Sequence, residues 1–183
     1  DGNVVIFTVR EKPTVREINI SGNRVFDDEE IKENIDISTG SILNVYRIKR
    51  NIETIKSLYR DKNYHNATVT YNVDELPHNQ GDLEFIVEEG KKVRIREIEL
   101  LGNQAFDDEK LKDLMKTSEK GFFSWLTSSG DLDMENLEQD ILRLTSFYHN
   151  QGYAEARVTE PEVAFEGDWI DIVIKIDEGE RFK

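Results

Sequence analysis

Two pairs of adjacent acidic residues are the first candidates for chemistry in this chain. Asp27-Asp28 and Asp107-Asp108 each follow a phenylalanine and precede a stretch with helical character. A cation site would need several oxygen ligands that converge on one point, and the spacing of the neighbouring acids supplies no such set. An aspartate before a helix can instead accept hydrogen bonds from the free N–H groups of the first turn. We therefore predict that these aspartates cap helices.

Other reactive groups are sparse. The three histidines, His65, His78 and His149, have no ligand spacing between them, so we predict that they lie on the surface. No Ser-His-Asp set can be assembled, and the chain has no cysteine for disulfides or thiolate metal sites. The composition therefore predicts a protein that is not an enzyme and binds no cofactor or metal.

Charge and hydropathy narrow the range of partners. The net charge of −14 argues against nucleic acid and anionic lipid surfaces as main partners. No apolar run approaches the roughly 18 residues that a transmembrane helix needs. A length of 183 residues is enough for two small domains.

The acidic pairs belong to a segment that occurs twice. Val15–Ile31 and Ile95–Leu111 share nine identical residues at a constant offset of 80, and each has the pattern of a strand, a tight turn and a helix. The apolar spacing of a longer helix recurs from Val45 and from Met134, at an offset of 89. The larger offset predicts a nine-residue insertion in the second repeat, within Thr117–Asp133.

Two strands follow the long helix in each repeat. Ala67–Val73 and Leu83–Val87 alternate apolar and polar residues around a predicted hairpin loop at Pro77–Gly81. Ala154–Phe165 and Trp169–Ile176 hold the same places in the second repeat. Each unit is then β-α-α-β-β, which predicts the α+β class, with a three-stranded mixed sheet covered by two helices.

The predicted domains are residues 12–91 and residues 92–183. Residues 1–11 contain the strand-like run Val4–Val9, which precedes the first repeat as Leu83–Val87 precedes the second. They are predicted to be the tail strand of an earlier unit. The short charged segment between the two domains contains a glycine and is predicted to act as a hinge, formed by Glu89, Gly90 and Lys91.

A proline marks one predicted strand as the edge of its sheet. Pro161 lies in the second strand of the second unit and cannot donate to a hydrogen-bond ladder. Proline within sheets is confined to edges and bulges. The sequence therefore predicts that Glu155–Phe165 is an edge strand with a local bulge.

The repeated unit resembles the POTRA domain. The junction segments Lys12–Asn23 and Glu88–Asn103 are similar to those of the BamA family of outer-membrane β-barrel assembly factors. Phe122–Leu126 and Tyr148–Ala154 resemble segments of the third POTRA unit of that family. The resemblance runs from Val4 to Lys183, and implies that the chain holds the second and third POTRA domains of a longer array.

The resemblance implies a location and a set of partners. In that family the array lies at the periplasmic face of the Gram-negative outer membrane, among neighbouring POTRA units and before a C-terminal membrane β-barrel. It receives nascent outer-membrane proteins and docks accessory lipoproteins without catalysing a covalent reaction. The implied mechanism is β-augmentation, in which an extended client strand pairs with a free sheet edge.

The resemblance also implies candidate site residues. The family uses the second strand of its third unit as the pairing edge, and the matching residues are Val158, Glu160, Pro161, Val163 and Phe165. Ordinary core packing is the alternative interpretation of Val163 and Phe165, because alternation alone does not say which face is inside. The apolar loop residues Phe122, Phe123, Trp125 and Leu126 are expected either to fold onto their own helices or to contact a partner.

Two other functions stay open on the same residues. The chain is also consistent with the POTRA array of a related barrel transporter, in autotransporter assembly or two-partner secretion. A passive periplasmic spacer, which holds partners apart without binding clients, is the alternative from a different class.

Overall fold

The computed structural model describes residues 11–182 except 123, 125, 126 and 128. The chain divides into two compact units, of which unit 1 ends at Gly90 and unit 2 begins at Lys91. In each unit two helices cover one face of a small mixed sheet. The predicted α+β class and the order β-α-α-β-β are confirmed. The predicted tail strand Val4–Val9 lies outside the described residues.

Unit 1 is built on a central third strand. Its elements are β1 (Thr14–Ser21), α1 (Asp28–Asn34), α2 (Val45–Asp61), β2 (Thr68–Leu76) and β3 (Gln80–Glu88). Strand β3 runs parallel to β1 and antiparallel to β2. The hairpin turn is shorter than predicted, because Leu76 already pairs with Gln80. His78 and Asn79 close this turn with φ angles of 63° and 56°.

Unit 2 repeats this topology with a divided second strand. Its elements are β4 (Arg94–Leu101), α3 (Asp108–Lys112), α4 (Met134–Asn150), β5 (Arg157–Val158), β6 (Glu162–Glu166) and β7 (Trp169–Asp177). Strand β7 runs parallel to β4 and antiparallel to β5 and β6. The prediction of one strand over Ala154–Phe165 is therefore wrong. The strand begins only at Arg157 and is broken before Glu162, so the described sheet has four strands.

The helix-facing sides of the central strands form the cores. Ile170, Ile172, Ile174 and Ile176 are all buried, as their alternation predicts. The apolar faces of α2 and α4 begin later than predicted. Val45 and Met134 are each 50% exposed because they stand at the first helical position, whereas Ile48 and Leu137, three residues later, are buried.

The predicted aspartate caps are confirmed for Asp27 and Asp107, whereas Asp28 and Asp108 are the first residues of α1 and α3. Asp27 accepts a hydrogen bond from the Glu30 N–H at 2.8 Å, and the Glu30 carboxylate accepts one from the Asp27 N–H at 3.0 Å. This reciprocal pair is a capping box. Asp107 caps α3 by accepting from the Lys110 N–H at 2.9 Å.

The glycine in each repeat permits a close approach between strands. Gly22 and Gly102 adopt φ angles of +82° and +92°. A Cβ atom at Gly22 would overlap the carbonyl oxygen of Val87, and one at Gly102 would overlap that of Ile176. Only glycine fits here, since both the φ angle and the space exclude a side chain.

The asparagine that follows each glycine fixes the turn into the helix. The Asn23 side-chain amide donates to the Phe26 carbonyl at 3.1 Å and to the Asp28 carboxylate at 2.8 Å. In unit 2 the Asn103 amide makes the same two bonds at 3.1 and 2.7 Å. These bonds give a structural reason for the recurrence of the glycine-asparagine motif.

Two further expectations concern surface properties. Within the described residues, no helix has both the length and the hydrophobicity needed to cross a bilayer. His78 and His149 are exposed, as predicted. His65 is half-buried, contrary to the prediction, and burial lowers its pKa.

Candidate functional site

The second strand of unit 2 contains a β-bulge at residues 160–161. Val158 pairs with Ile176, whereas Val163, five residues later, pairs with Ile172, which lies only four residues before Ile176. The outer strand has therefore gained one residue over its partner, which is the definition of a bulge. The structure thus places Glu160 and Pro161 at the break between β5 and β6.

The bulge decides which side chains of this strand face the core. Val158 and Val163 would lie on opposite faces of a regular strand, because their numbers differ by an odd count. The extra residue brings both onto the helix-covered face, where they are half-buried against the core of unit 2. Phe165 follows on the same face near the strand end and is 53% exposed. The Val163 side chain is therefore a core contact.

Some residues of the same strand direct their backbone N–H and C=O groups away from β7. The Thr159 N–H donates to the Lys175 carbonyl of β7 at 2.9 Å. Hydrogen-bonding groups alternate along an antiparallel pair, so Ala164 bonds towards β7 while Val158 and Val163 direct their N–H and C=O groups outward. Among the described residues, no strand pairs with this outer side.

The corresponding edge of unit 1 is longer and regular. All nine residues of β2 pair with β3, from Thr68 opposite Glu88 to Leu76 opposite Gln80, without a register shift. Val73 pairs with Leu83 in the position that Val163 has opposite Ile172. The outer side of β2 also has no partner strand in the described part of the chain.

The other edge of each sheet is covered at its start by a loop of the same unit. In unit 1 the Val15 N–H donates to the Ser41 carbonyl at 2.8 Å, and the Gly40 N–H donates to the Val15 carbonyl at 2.7 Å. In unit 2 Ile95 makes the same pair of bonds, with the Gly130 carbonyl at 2.8 Å and the Lys120 N–H at 2.9 Å.

These bonds locate the insertion of unit 2. Gly40 corresponds to Lys120, and Ser41 corresponds to Gly130, so the nine additional residues are 121–129. This segment lies within the predicted range and contains the whole candidate partner loop. Phe122 is 91% exposed. Phe123, Trp125 and Leu126 lie outside the described residues.

A glutamate that the sequence analysis missed extends this cover in unit 2. The Glu119 carboxylate accepts from the Ile98 N–H of β4 at 3.0 Å and from the Lys112 ammonium at 2.8 Å. Burial raises the pKa of this carboxyl, but the two hydrogen bonds outweigh burial and hold the pKa below its usual value. Comparison of the repeats gave no signal, because the corresponding residue of unit 1 is Thr39.

Glu89, one of the predicted hinge residues, is anchored within unit 1. Its carboxylate accepts from the N–H groups of Arg24 and Val25 and, at 3.0 Å, from the Tyr59 hydroxyl. Burial raises the pKa of this carboxyl, but the hydrogen bonds outweigh it and hold the pKa below its usual value. Burial and the glutamate together raise the pKa of the Tyr59 hydroxyl.

The end of unit 2 repeats this anchor, whereas the other two predicted hinge residues, Gly90 and Lys91, follow Glu89 in the chain. Glu178 accepts from the Ala105 N–H at 2.9 Å and from the Tyr148 hydroxyl at 3.0 Å. Gly90 has a φ angle of +68°. The exposed Lys91 ammonium lies 3.3 Å from the Asp168 carboxylate of unit 2. The hinge formed by Glu89, Gly90 and Lys91 stays a prediction.

Comparison with known proteins gives the family. The POTRA family, described as surface antigen variable number repeat, matches residues 13–90 and 93–179. The chain belongs to the POTRA family. Its two units are tandem POTRA repeats, as the sequence motifs predict.

The relatives of these POTRA repeats are assembly factors. The chain is 34% identical over 187 residues to the outer membrane protein assembly factor BamA of Nitratidesulfovibrio vulgaris. It is 31% identical over 188 residues to BamA of Neisseria meningitidis serogroup B. Both similarities cover 100% of this chain, which spans 23% and 24% of those proteins. The predicted resemblance to BamA is confirmed.

A solved structure shows the same POTRA fold. The crystal structure of BamA from Haemophilus ducreyi lacking POTRA domains 1–3 matches with a TM-score of 0.50 at 20% identity. The match covers 94% of this chain and 30% of that chain.

Proposed function

We propose that this chain is a periplasmic POTRA module of an outer-membrane protein assembly factor, which binds extended segments of unfolded outer-membrane proteins by β-augmentation. The observation that carries the proposal is the outer edge of β5 and β6. There Val158 and Val163 direct backbone N–H and C=O groups away from β7, and no described strand forms hydrogen bonds with these outward groups. Full-length relatives named as assembly factors support the same reading.

The physics of this edge favours weak and sequence-tolerant binding. Each backbone hydrogen bond contributes about 1 kcal/mol net, and the cost of ordering the peptide offsets part of that sum. A strand that makes about five such bonds therefore binds with a Kd of roughly millimolar magnitude. Backbone pairing reads no particular side chain, so one edge can accept many clients and release them.

The proposal includes further partners of the longer protein. Accessory lipoproteins would dock at the same edge and at the inserted loop, where Phe122 is exposed. Neighbouring POTRA units and a membrane β-barrel would lie before and after these two domains in the full protein. Gly90 would act as the hinge, since its neighbours Glu89 and Lys91 bond within unit 1 and unit 2 respectively. No covalent reaction is part of this function.

The test is a ¹⁵N NMR titration of the chain with a peptide that copies one strand of an outer-membrane protein. We expect amide shifts along Val158–Phe165. Proline at position 163 removes an outward N–H and no ladder bond, so Val163→Pro should keep the fold and abolish those shifts. Unchanged amide chemical shifts of Ile172 and Ile174 in β7, measured without peptide, would show that the variant is folded.

A matched variant in unit 1 separates the two edges. Val73→Pro changes the corresponding position of β2. If unit 2 is the main receiver, Val73→Pro leaves the shifts along Val158–Phe165 unchanged. Absence of any edge shift at millimolar peptide would contradict the proposal and favour the passive spacer. Shifts that survive Val163→Pro would contradict pairing at this edge.

A further inference from the structure

The parallel edge strands of the two units differ in one covering residue. Both strands carry a register shift after the residue that the loop covers, Val15 in β1 and Ile95 in β4. The next residue that directs its backbone outward is Ile98 in β4, because its N–H donates to Glu119 at 3.0 Å. The corresponding residue of β1 is Ile18. In the described part of unit 1, no side chain or carbonyl accepts from the Ile18 N–H.

The position of the covering residue can be compared directly. Gly40 and Lys120 donate to corresponding strand carbonyls, so the residues before them, Thr39 and Glu119, occupy the same place. Thr39 is exposed, and its side chain is too short and bears no charge. Unit 1 therefore has the strand amide but lacks the carboxylate that covers it in unit 2.

The lysine that pairs with Glu119 in unit 2 has a counterpart in unit 1. Lys112, in the last turn of α3, donates to Glu119 at 2.8 Å. Lys32 lies at the corresponding position in the last turn of α1. No ion pair of Lys32 occurs among the described residues. Unit 1 thus retains an outward amide and an ammonium group where unit 2 binds them both with one carboxylate.

We propose that Ile18–Ser21 is a second docking edge for an extended peptide, and that Lys32 favours a peptide that carries a carboxylate beside Ile18. The inference rests on the proposed strand-binding function and adds a site and a preference to it. Ile18 and Ile20 alternate in the outward direction and together offer two N–H and two C=O groups. A sheet edge whose backbone groups have no side-chain partner can accept an added strand, whereas Glu119 occupies the N–H of Ile98 at the same edge in unit 2.

The experiment exchanges the residue types at positions 39 and 119 between the two units. Thr39→Glu supplies a carboxylate to unit 1, and Glu119→Thr removes the one in unit 2. The probe is an acetylated and amidated seven-residue peptide of alternating threonine and valine with a central glutamate, and the matched probe has glutamine there. Amide shifts of Ile18 and Ile20 report on β1, and those of Ile98 and Leu100 report on β4.

We expect the unaltered chain to respond at Ile18 and Ile20 but not at Ile98. Thr39→Glu should abolish the response of β1, and Glu119→Thr should create one at Ile98. The glutamate peptide should bind β1 roughly threefold more tightly than the glutamine peptide, which is the size expected for one exposed ion pair. Lys32→Gln should remove that difference while β1 still responds to both peptides.

Two results would overturn this inference. One is slow hydrogen exchange of the Ile18 amide without peptide, equal to that of Ile98, which would show that the edge is already covered. The other is an unchanged response at Ile18 in Thr39→Glu. Shifts along Val158–Phe165 are read in the same spectra, so failure of the proposed function is recorded separately.

Discussion

The two POTRA units share one framework but differ at the edges of their sheets. Unit 1 has a regular antiparallel edge of nine paired residues, and unit 2 has an edge broken into two and five residues. Unit 2 also covers its parallel edge with Glu119, where unit 1 has Thr39. The recurring residues therefore hold the fold together, whereas the places that differ set which backbone groups a partner can reach.

The framework is a set of contacts that join the first turn to the last strand. The Phe26 and Tyr59 rings lie 5.1 Å apart edge to face, and the Phe106 and Tyr148 rings lie 5.3 Å apart in the same way. Each tyrosine then donates to the glutamate after its last strand. A change to one of these contacts should therefore have similar effects in both units.

The largest expected effect comes from the repeated glycine. Gly22→Ala should destabilise unit 1 by about 3 kcal/mol or more, because a Cβ would overlap the Val87 carbonyl and the φ angle is positive. Gly102→Ala should cost unit 2 a similar amount. Urea unfolding followed by NMR signals of each unit measures both values.

Gly40→Ala is the control for this prediction. Gly40 has a φ angle of +83°, but nothing lies within 4 Å of an added Cβ. Its substitution should cost only about 1–2 kcal/mol, the cost of the left-handed conformation alone. Equal losses at Gly22 and Gly40 would show that the close approach of Val87 contributes nothing.

A smaller effect is expected from the glutamate anchor. Glu89→Gln should destabilise unit 1 by about 1–2 kcal/mol at pH 7, because a carboxylate that accepts from two N–H groups and a hydroxyl becomes neutral. The pKa of Glu89 is lower in the folded state than in the unfolded state. Its contribution is therefore complete above the unfolded pKa and is lost as pH falls through the folded pKa.

Urea unfolding as a function of pH checks this anchor. The difference in unfolding free energy between the unaltered chain and Glu89→Gln should shrink as pH falls below the ordinary glutamate pKa. Glu88→Gln is the control, since Glu88 is exposed and, among the described residues, its carboxylate accepts only from the Thr68 hydroxyl, at 3.2 Å. A difference that stays constant at low pH would contradict the assignment of the effect to ionised Glu89.

The smallest expected effect concerns the bulge. Deletion of Pro161 leaves one residue fewer opposite β7 and should join β5 and β6 into one regular strand, as in unit 1. The free energy of unfolding should change by less than about 1 kcal/mol, because the lost residue makes no ladder bond. Hydrogen exchange of the amides between Val158 and Val163 should become slower.

Pro161→Ala sharpens this test. It keeps the number of residues, and we expect Val163 to stay paired with Ile172, because the residue count sets the register. Cross-strand nuclear Overhauser effects between these two residues measure the pairing. A strand that becomes regular in Pro161→Ala would show that the proline ring itself imposes the bulge.

Local patterns were sufficient to predict most of the helices and strands. A period of two residues placed Ile170–Ile176 on one buried face, and an aspartate before a helix predicted its cap. The missing N–H of Pro161 predicted a strand with a bulge. Each of these signals acts within a few residues, so a single sequence carries it.

The groups that each sheet edge exposes depend on contacts between segments that are distant in the sequence. The face of Val163 depends on a one-residue register shift against β7, and register is a property of two strands rather than of one sequence segment. Glu119 meets Ile98 across 21 residues, and Glu89 meets Val25 across 64. The sequence alone therefore determined the repeated framework. Contacts between distant segments decided which backbone groups of each sheet edge are covered, because no local sequence pattern encodes such contacts.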